Sequence, residues 1–246
     1  MTLRVATFNI RNGVALDRAS LWWLRRGLVR DVVAEVDADL WGFQEVYGFQ
    51  RRYLADGLLS THEWVGSGRD GRGRGEGVYL AGRRGRVEVL DHEVRWFGTT
   101  PTRPGSKLDG AGFPRIAVLA EVRFVRHRVL VVVTHLDEKS SSRRRASVEQ
   151  LIGWLDREAE GRPVVVMGDV NARPGTAELA PLADAGLTGV LGPDDGGTSH
   201  GFGRYRPKQI DNLWVSDHWR VASARVVSEA GTASDHDPVV TELALP

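Results

Sequence analysis

The sequence predicts an α/β fold in which two mixed β-sheets pack together and helices flank them. Segments with strand-like periodicity outnumber segments with helical periodicity along the 246 residues. Most neighbouring strands are joined by hairpin-length links while helices enter at intervals, which favours two mixed sheets over one parallel, doubly wound sheet. The composition never shifts abruptly, so we expect residues 1–246 to form a single domain.

Two strands and a helix are predicted near the N-terminus. Residues 3–10 form a short apolar run that suits a buried strand, and residues 39–46 form another. Between them, residues 20–36 have the three- and four-residue spacing of an amphipathic helix. We expect the buried stripe of this helix to contain Leu21, Leu24, Leu28, Val32 and Val36.

The next segment is rich in glycine and arginine. A short helix is predicted at residues 49–59, and strands are predicted at residues 63–68 and 77–80. We interpret residues 66–75, between these strands, as a solvated and mobile loop. A second interpretation is that the arginines within this segment follow a nucleic-acid backbone.

The clearest β-hairpin of the sequence lies at residues 115–135. Apolar residues alternate along both arms, and the turn falls at residues 126–128. A second amphipathic helix follows the hairpin, since apolar residues recur there at helical spacing. Its markers are Val148, Leu151, Ile152 and Leu155. The continuous apolar run at residues 163–167 then predicts another buried strand.

The last part of the chain predicts one more helix and three strands. We place the helix at residues 176–185. The strands are placed at residues 210–216, 220–227 and 238–243, where short apolar runs are bounded by turn-forming residues.

Composition excludes several classes of site and partner. The chain has 33 Lys and Arg against 32 Asp and Glu, so no global positive field draws it onto nucleic acid or anionic lipid. It has no cysteine, so any metal must bind to oxygen and nitrogen. The sequence begins in a strand-like run without a leader pattern, and no apolar stretch approaches the roughly 20 residues of a membrane span. We expect a cytoplasmic, monomeric protein.

Polar residues recur where predicted buried strands end. Taken singly, Asn and Asp after a strand are common turn formers, but the repetition of the pattern indicates a shared site. The residues at these positions are Asn9, Glu45, His135, Asp169, Asn171, Asp211, Asp235 and His236.

Six short motifs contain these residues, and in their order the sequence resembles the endonuclease/exonuclease/phosphatase superfamily. The motifs are Thr7-Phe8-Asn9-Ile10, Phe43-Gln44-Glu45-Val46, Thr134-His135-Leu136-Asp137, Gly168-Asp169-Val170-Asn171, the run from Ile210 to Ser216, and Ser234-Asp235-His236-Asp237-Pro238. The resemblance spans the chain from Asn9 to Pro238. It implies a four-layer α/β/β/α sandwich with the active site at one edge, and metal-dependent hydrolysis of a phosphate ester.

A hard divalent cation suits the residue types of these motifs. Carboxylate and amide oxygens without thiolates favour Mg²⁺ or Mn²⁺. We expect Glu45 to be the principal ligand with Asn9 near it, and Asp235 to hold the same ion or a second one.

The resemblance also implies roles for the remaining polar residues. Asp169 would orient or deprotonate the attacking water, and Asn171 would donate a hydrogen bond to a phosphate oxygen. His236 would contact the phosphate, with Asp211 accepting its second ring proton and so favouring the imidazolium. His135 would stabilise developing charge or protonate the leaving oxygen, unless it is only a capped strand end.

Four further residues are predicted to contact substrate. Arg115 opens the long hairpin and is placed to reach the scissile phosphate, and His200 lies in a segment that lines the pocket in similar bacterial proteins. Arg143 and Arg144 open a helix, where basic side chains oppose the helix dipole unless an anion is near. For each of these residues a plain surface position is the alternative.

Two function classes stay open on the sequence alone. The first is an active Mg²⁺-dependent phosphoesterase, either a nuclease acting on DNA or RNA or a phosphatase acting on a small phosphorylated metabolite. The second is a non-catalytic phosphate- or nucleic-acid-binding module on the same fold. Because Glu45, Asp169 and His236 are all present, we favour catalysis. A lipid substrate lacks support, since no long apolar insertion is visible.

Overall fold

The fold is a four-layer α/β/β/α sandwich, seen in a computed structural model that describes residues 1–16 and 20–245. The predicted fold class is confirmed. In chain order the strands and helices are β1 (Thr2–Asn9), α1 (Trp22–Val36), β2 (Leu40–Val46), α2 (Gly48–Asp56), β3 (His62–Asp70), β4 (Arg74–Arg83), β5 (Val87–Trp96), β6 (Ile116–Phe124), β7 (His127–His135), α3 (Ser141–Glu158), β8 (Val164–Asp169), α4 (Ala180–Asp184), β9 (Thr188–Gly189), β10 (Asp211–Val215), β11 (Arg220–Val226) and β12 (Val239–Ala244).

Each sheet has six strands and contains one parallel pair near its centre. The first sheet has the order β11-β12-β1-β2-β4-β3, and β1 runs parallel to β2. The second has the order β5-β6-β7-β8-β10-β9, and β7 runs parallel to β8. Parallel neighbours end at the same edge of a sheet, so polar residues at the ends of these four strands are gathered at one edge of the sandwich.

Three apolar cores hold the layers together. The core between the sheets contains Val133, Met167 and Leu213, all fully buried, and burial of each such side chain contributes about 1.5–3 kcal/mol. The outer cores join α1 and α2 to the first sheet and α3 and α4 to the second. Gly42 allows the sheets to approach closely, because a Cβ there would lie 2.8 Å from the sulfur of Met167.

The predicted stripe of the first helix is confirmed at Val32 and Val36, which are buried, but it is wrong in the first half of the helix. Leu24 and Leu28 are 67% and 45% exposed, while Trp22, Arg25 and Val29 face the sheet. The reason is that Arg25 lies in the buried face, where its guanidinium donates hydrogen bonds to four backbone carbonyl oxygens. A hydrophobic pattern treats arginine as a surface residue, so the predicted buried face is rotated around the helix axis from the observed one.

The predicted Gly/Arg loop is also wrong, because residues 66–75 are mostly strand. β3 extends to Asp70 and β4 begins at Arg74, joined by a single 3₁₀ turn at Gly71–Gly73. Arg69 is 9% exposed and pairs with Glu76 at 2.6 Å. The strands here tolerate glycine because the backbones approach closely: a Cβ on Gly68 would lie 2.2 Å from the carbonyl oxygen of Arg74.

Other predicted elements are mostly confirmed. The long hairpin corresponds to β6 and β7, which pair in register from Ala117 to Phe124. The helix predicted at residues 176–185 is much shorter, since α4 begins only at Ala180, with Pro181 in its first turn. β5 was not predicted, because only its two end residues are buried. In the described part of the chain, no helix combines the length and apolar character needed to cross a bilayer.

Candidate active site

A cleft opens at the edge where the ends of β1, β2, β7 and β8 meet. We call it the central cleft, and its volume is about 380 Å³. It is lined by Arg11, Asn12, Glu45, Arg69, Glu76, Phe113, Arg115, His135, Glu138, Asp169, Asn171, Ser199, Tyr205, Lys208, Ile210, Asp235 and His236. Seven of the twelve predicted site residues are among them, so the structure brings most of the predicted residues together in one cleft.

Asn9 and Glu45 lie at the ends of the parallel strands β1 and β2. Glu45 has a left-handed backbone conformation (φ 62°) at a bulge in the pairing of β2 with β4, which turns its side chain into the cleft. Asn9 is fully buried, and its Nδ2 donates to Glu45 Oε1 at 3.1 Å and to Asp169 Oδ2 at 3.0 Å. One amide therefore fixes the positions of two carboxylates contributed by different sheets.

Glu45 and Asp235 share a cationic neighbour. Arg11 Nη1 lies 3.9 Å from Glu45 Oε2, and Arg11 Nε lies 3.6 Å from Asp235 Oδ2. Burial works against the charge of Glu45, but Arg11 and the backbone N–H of Asn12 hold its pKa below the ordinary value. Burial raises the pKa of Asp235, and the charge of Glu45 raises it further. The space beside these carboxylates thus favours positive charge.

Asp169 ends β8 and is the most central carboxylate of the site. Its Oδ1 accepts a hydrogen bond from the backbone N–H of Asn171 at 2.9 Å. Burial and the neighbouring charge of Asp211 raise the pKa of Asp169 to about 7. Asn171 has a left-handed backbone (φ 51°) and donates from Nδ2 to the carbonyl oxygen of Leu136 at 3.2 Å. The turn after β8 is therefore held by both residues.

His236 and Asp211 form a buried pair. His236 Nδ1 donates to Asp211 Oδ2 at 2.8 Å, and the same oxygen accepts from Thr198 Oγ1 at 2.6 Å. Burial alone would lower the pKa of His236, but the carboxylates of Asp211, Asp169 and Asp235 raise it well above the ordinary value. His236 is accordingly an imidazolium at neutral pH, as expected for a group that contacts a phosphate.

His135 has the opposite electrostatic character. Its Nε2 lies 3.5 Å from Asp169 Oδ2, and the ring is buried. Burial lowers the pKa of His135 well below its ordinary value, and the positive charges of Arg115, Arg69 and His236 lower it further. A neutral imidazole can donate a hydrogen bond to developing charge, but it is poorly suited to protonate a leaving oxygen at neutral pH.

Two arginines line the cleft beside His135, and each is held by a glutamate. Arg115 pairs with Glu138, and Arg69 pairs with Glu76 at 2.6 Å. The carbonyl oxygen of Arg69 also accepts from Trp96 Nε1 at 2.6 Å. Because both arginine side chains are about nine-tenths buried and each is paired with a glutamate, they present fixed donors to the cleft.

The other predicted arginines lie outside the central cleft. Arg143 Nε bonds to Asp137 Oδ2 at 2.9 Å, and Arg144 Nη2 bonds to Glu178 Oε1 at 2.9 Å. The N-terminus of α3 is capped by Ser140, whose Oγ accepts from the backbone N–H of Arg143. These contacts account for basic residues at a helix start without a bound anion, so they give no support to a substrate-binding role.

His200 also lies outside the lining of the cleft. It stands behind the segment that carries Asp235, since the backbone N–H of His200 donates to the carbonyl oxygen of Asp235 at 2.9 Å. Its Nε2 lies 3.5 Å from Asp237 Oδ1, and burial lowers its pKa. His200 is therefore better placed to hold the Asp235–His236 segment in position than to contact a substrate.

Two sets of residues could hold a cation. Asp169, Asp211 and His236 each offer an atom within 4.8 Å of the others. Asp211 and His236 are bonded to each other, however, and a protonated imidazole cannot ligate a metal ion. Glu45 and Asp235 offer carboxylate oxygens that line the cleft around Arg11, and Asn9 is bonded to Glu45. This oxygen donor set fits a hard divalent ion better.

Sequence reasoning missed several residues of the cleft. Arg11 and Asn12 directly follow Asn9 and belong to the same polar strand end, which was an available signal. Glu76 stands between two glycines, at the boundary between the predicted loop and the next predicted strand, so its role was hidden. Phe113, Tyr205 and Lys208 come from connecting segments where the sequence pattern is weak.

Comparison with known proteins supports the fold and shows the family. The family model described as Endonuclease/Exonuclease/phosphatase family matches residues 6–236. The chain therefore belongs to the endonuclease/exonuclease/phosphatase family. No curated protein matches the chain.

Solved structures resemble the protein over almost its whole length. An endonuclease/exonuclease/phosphatase from Bacteroides vulgatus has 28% identity and a TM-score of 0.91, covering 100% of both chains. The mannosyl-6-phosphatase of Bacteroides thetaiotaomicron has 24% identity and a TM-score of 0.89, covering 99% of this chain and 100% of that one. TDP2 of D. rerio, complexed with a single-strand DNA product, has 18% identity and a TM-score of 0.77, with 99% of each chain covered. The latter two similarities concern the fold alone.

Proposed function

We propose that the protein hydrolyses phosphate esters with the help of a divalent metal ion, Mg²⁺ or Mn²⁺. One observation carries the proposal: the carboxylate of Asp169 lies 3.0 Å from Asn9 Nδ2, 3.5 Å from His135 Nε2 and 3.9 Å from His236 Nε2. Asp169 can thus serve as a base and His236 can bind a phosphate as an imidazolium. The amide of Asn9 links Asp169 to Glu45, a residue suited to bind a metal ion.

Glu45 and Asp235 are the residues that would hold the metal ion, with Asn9 orienting Glu45. When bound there, Mg²⁺ would neutralise charge on the phosphate oxygens and make a water more acidic. The low pKa of Glu45 keeps this ligand ionised at neutral pH. Few protein ligands are sufficient, since Mg²⁺ keeps several of its waters.

Asp169 is the proposed general base. A base works best when its pKa is close to the working pH, and the pKa of Asp169 is raised to about 7. Asn9 Nδ2 and the backbone N–H of Asn171 fix both of its oxygens. The attacking water would transfer its proton to this carboxylate as its oxygen attacks phosphorus. The bond from phosphorus to the ester oxygen would break, and the alkoxide that leaves would take a proton from solvent.

His236 is the proposed phosphate-binding cation on the other side. Asp211 holds Nδ1, so that Nε2 points toward Asp169 and the cleft. Asn171, Arg115 and neutral His135 line the same cleft and would donate hydrogen bonds to phosphate oxygens. Fixed donors directed at developing charge are an effective source of catalysis, because they need not reorganise during the reaction.

Two classes of substrate are represented among the similar structures. Among similar structures, one is described as a mannosyl-6-phosphatase and another holds a single-strand DNA product, so both a sugar phosphate and a nucleic acid are represented on this fold. A non-catalytic phosphate-binding module is the alternative. We favour the enzyme because the proposed base, the imidazolium and the carboxylates suited to a metal ion all line one cleft.

The decisive experiment is an EDTA-controlled turnover assay with Mg²⁺ or Mn²⁺. The substrates are bis(p-nitrophenyl) phosphate, sugar 6-phosphates, single-stranded DNA and RNA, and abasic duplex DNA. His236→Ala is expected to abolish turnover, whereas His92→Ala, on the exposed strand β5, is the matched control. Metal-dependent turnover that persists in His236→Ala would contradict the mechanism. Binding of Mg²⁺ without any turnover would favour the non-catalytic module.

A further inference from the structure

A second cavity of about 510 Å³ adjoins the central cleft. We call it the side groove. Lys208 lines both cavities, so the two are adjacent there. Among the described residues that line the side groove, the charged side chains are Arg173, Arg206, Lys208 and Asp194. The groove is therefore open, polar and positive on balance.

The cations of the side groove differ from the arginines of the central cleft in their partners. Arg69 and Arg115 are buried and paired with glutamates. Arg173, Arg206 and Lys208 are exposed, and within residues 1–16 and 20–245 none of them forms an ion pair. Lys208 Nζ instead lies 5.2 Å from the ring centre of Tyr205. Three cations around one cavity without carboxylate partners form a surface that suits a polyanion.

The side groove begins next to the catalytic groups. Arg173 follows Asn171 by two residues, in the turn after β8. On the other side, the backbone of Ser199 pairs with both Lys208 and His236. A substrate whose phosphate contacts Asn171 and His236 therefore has the side groove as its immediate neighbour.

We propose that the side groove binds a second phosphate group of the substrate whose first phosphate is hydrolysed in the central cleft. This inference rests on the proposed function and narrows its substrate class to compounds that carry two or more phosphates. An oligonucleotide and a small bisphosphate both meet this requirement. Arg173 and Arg206 would bind the second phosphate by charge-assisted hydrogen bonds, with Lys208 between the two cavities.

The first test compares substrates with one and two phosphates. The measured quantity is a ratio of two KM values: that for a 5′-phosphorylated dinucleotide, or for a sugar bisphosphate, divided by that for bis(p-nitrophenyl) phosphate. In the double variant Arg173→Ala/Arg206→Ala this ratio is expected to rise roughly tenfold, because two charge-assisted contacts are lost. The matched control is Arg123→Ala/Arg126→Ala, at the opposite end of β6 and β7, whose ratio should stay at the wild-type value. The substrate whose ratio rises identifies the source of the second phosphate. An unchanged ratio for both would overturn the proposal.

A binding measurement separates this inference from the proposed function. Anisotropy of a fluorescein-labelled tetranucleotide is measured in EDTA, where no turnover is required. Each phosphate that the protein neutralises contributes about 0.7 to the slope of log affinity against log salt, so the double variant, which loses the second phosphate, should have a slope lower by about 0.7. An unaltered slope in the double variant would contradict phosphate binding in the side groove, even if the wild-type protein proves to be an active phosphoesterase. A reduced slope would support phosphate binding in the side groove even if no turnover is detected with any substrate.

Discussion

Asp169 and Asp211 are register partners on the antiparallel strands β8 and β10, and the imidazole of His236 stands between their carboxylates. Its Nδ1 lies 2.8 Å from Asp211 Oδ2, and its Nε2 lies 3.9 Å from Asp169 Oδ2. The strand pairing thus places a carboxylate of raised pKa next to an imidazole of raised pKa. Asp211 raises the pKa of Asp169 and also raises that of His236.

The activity is expected to rise with pH through the titration of Asp169. Burial and Asp211 raise its pKa to about 7, and only the carboxylate can accept a proton from water. The rate should therefore be low below about pH 6 and approach a plateau above about pH 8. The measurement is kcat/KM for bis(p-nitrophenyl) phosphate across this range at constant ionic strength. A rate that is already maximal at about pH 5 would show that Asp169 is not the base.

How much of the fold was predictable depends on how regular each segment is. The β6–β7 hairpin could be predicted because its apolar residues alternate without interruption and face two apolar cores. β5 could not, since only Val87 and Trp96 of its ten residues are buried at the sheet edge. The face of α1 was misassigned because buried Arg25 satisfies carbonyl groups that no local pattern reveals.

The candidate site was predictable where residues stand at strand ends. Asn9, Glu45 and Asp169 could be predicted because parallel strands end at one edge. Ion pairing between distant segments could not be predicted. The sequence does not show that Glu178 neutralises Arg144, or that Glu76 holds Arg69 in the cleft, because these contacts depend on the tertiary fold.

Asp211→Asn is expected to weaken catalysis through His236. Loss of the partner carboxylate lowers the pKa of His236, so less imidazolium is present at neutral pH. The rate should fall by about 10²-fold or more, on the scale of acid–base and charge-stabilising groups. Asp217→Asn, at the exposed end of β10, is the matched control.

The diagnostic readout for Asp211→Asn is the imidazole titration of His236, followed by NMR. A purely structural role would leave this titration in place while the melting temperature fell. The proposed role requires the pKa of His236 to move down in the variant. An unmoved titration with reduced activity would contradict the assignment.

Glu45→Gln is expected to weaken metal binding. The variant keeps the size of the side chain but removes one ligand charge. Groups that only orient a metal ligand change affinity by about 10- to 100-fold, so loss of a direct ligand should weaken Mg²⁺ binding at least about tenfold. Calorimetric titration of the metal-free protein with Mg²⁺ measures this, and exposed Glu35→Gln on α1 is the control. Equal affinity in Glu45→Gln and wild type would remove Glu45 from the ligand set.

Arg25→Met is expected to destabilise the fold and loosen the site. Arg25 Nη1 donates to the carbonyl oxygens of Ile10 at 2.7 Å and Ala233 at 2.8 Å, which belong to the segments that carry Asn9 and Asp235. Methionine preserves much of the volume but leaves these carbonyl groups without their donor. Each buried unsatisfied group costs about 1–3 kcal/mol, so the free energy of unfolding should fall by more than about 2 kcal/mol.

The matched control for this change is Arg26→Met. Arg26 lies on the same helix, with its guanidinium 5.2 Å from the ring centres of Trp23 and Tyr53. Urea unfolding of the two variants is compared without metal. Because Arg25 joins two segments of the site, Mg²⁺ affinity should also fall in Arg25→Met and stay at the wild-type value in Arg26→Met. If both variants unfold at the same urea concentration as wild type, the hydrogen bonds from the Arg25 guanidinium to the backbone carbonyl oxygens do not stabilise the fold.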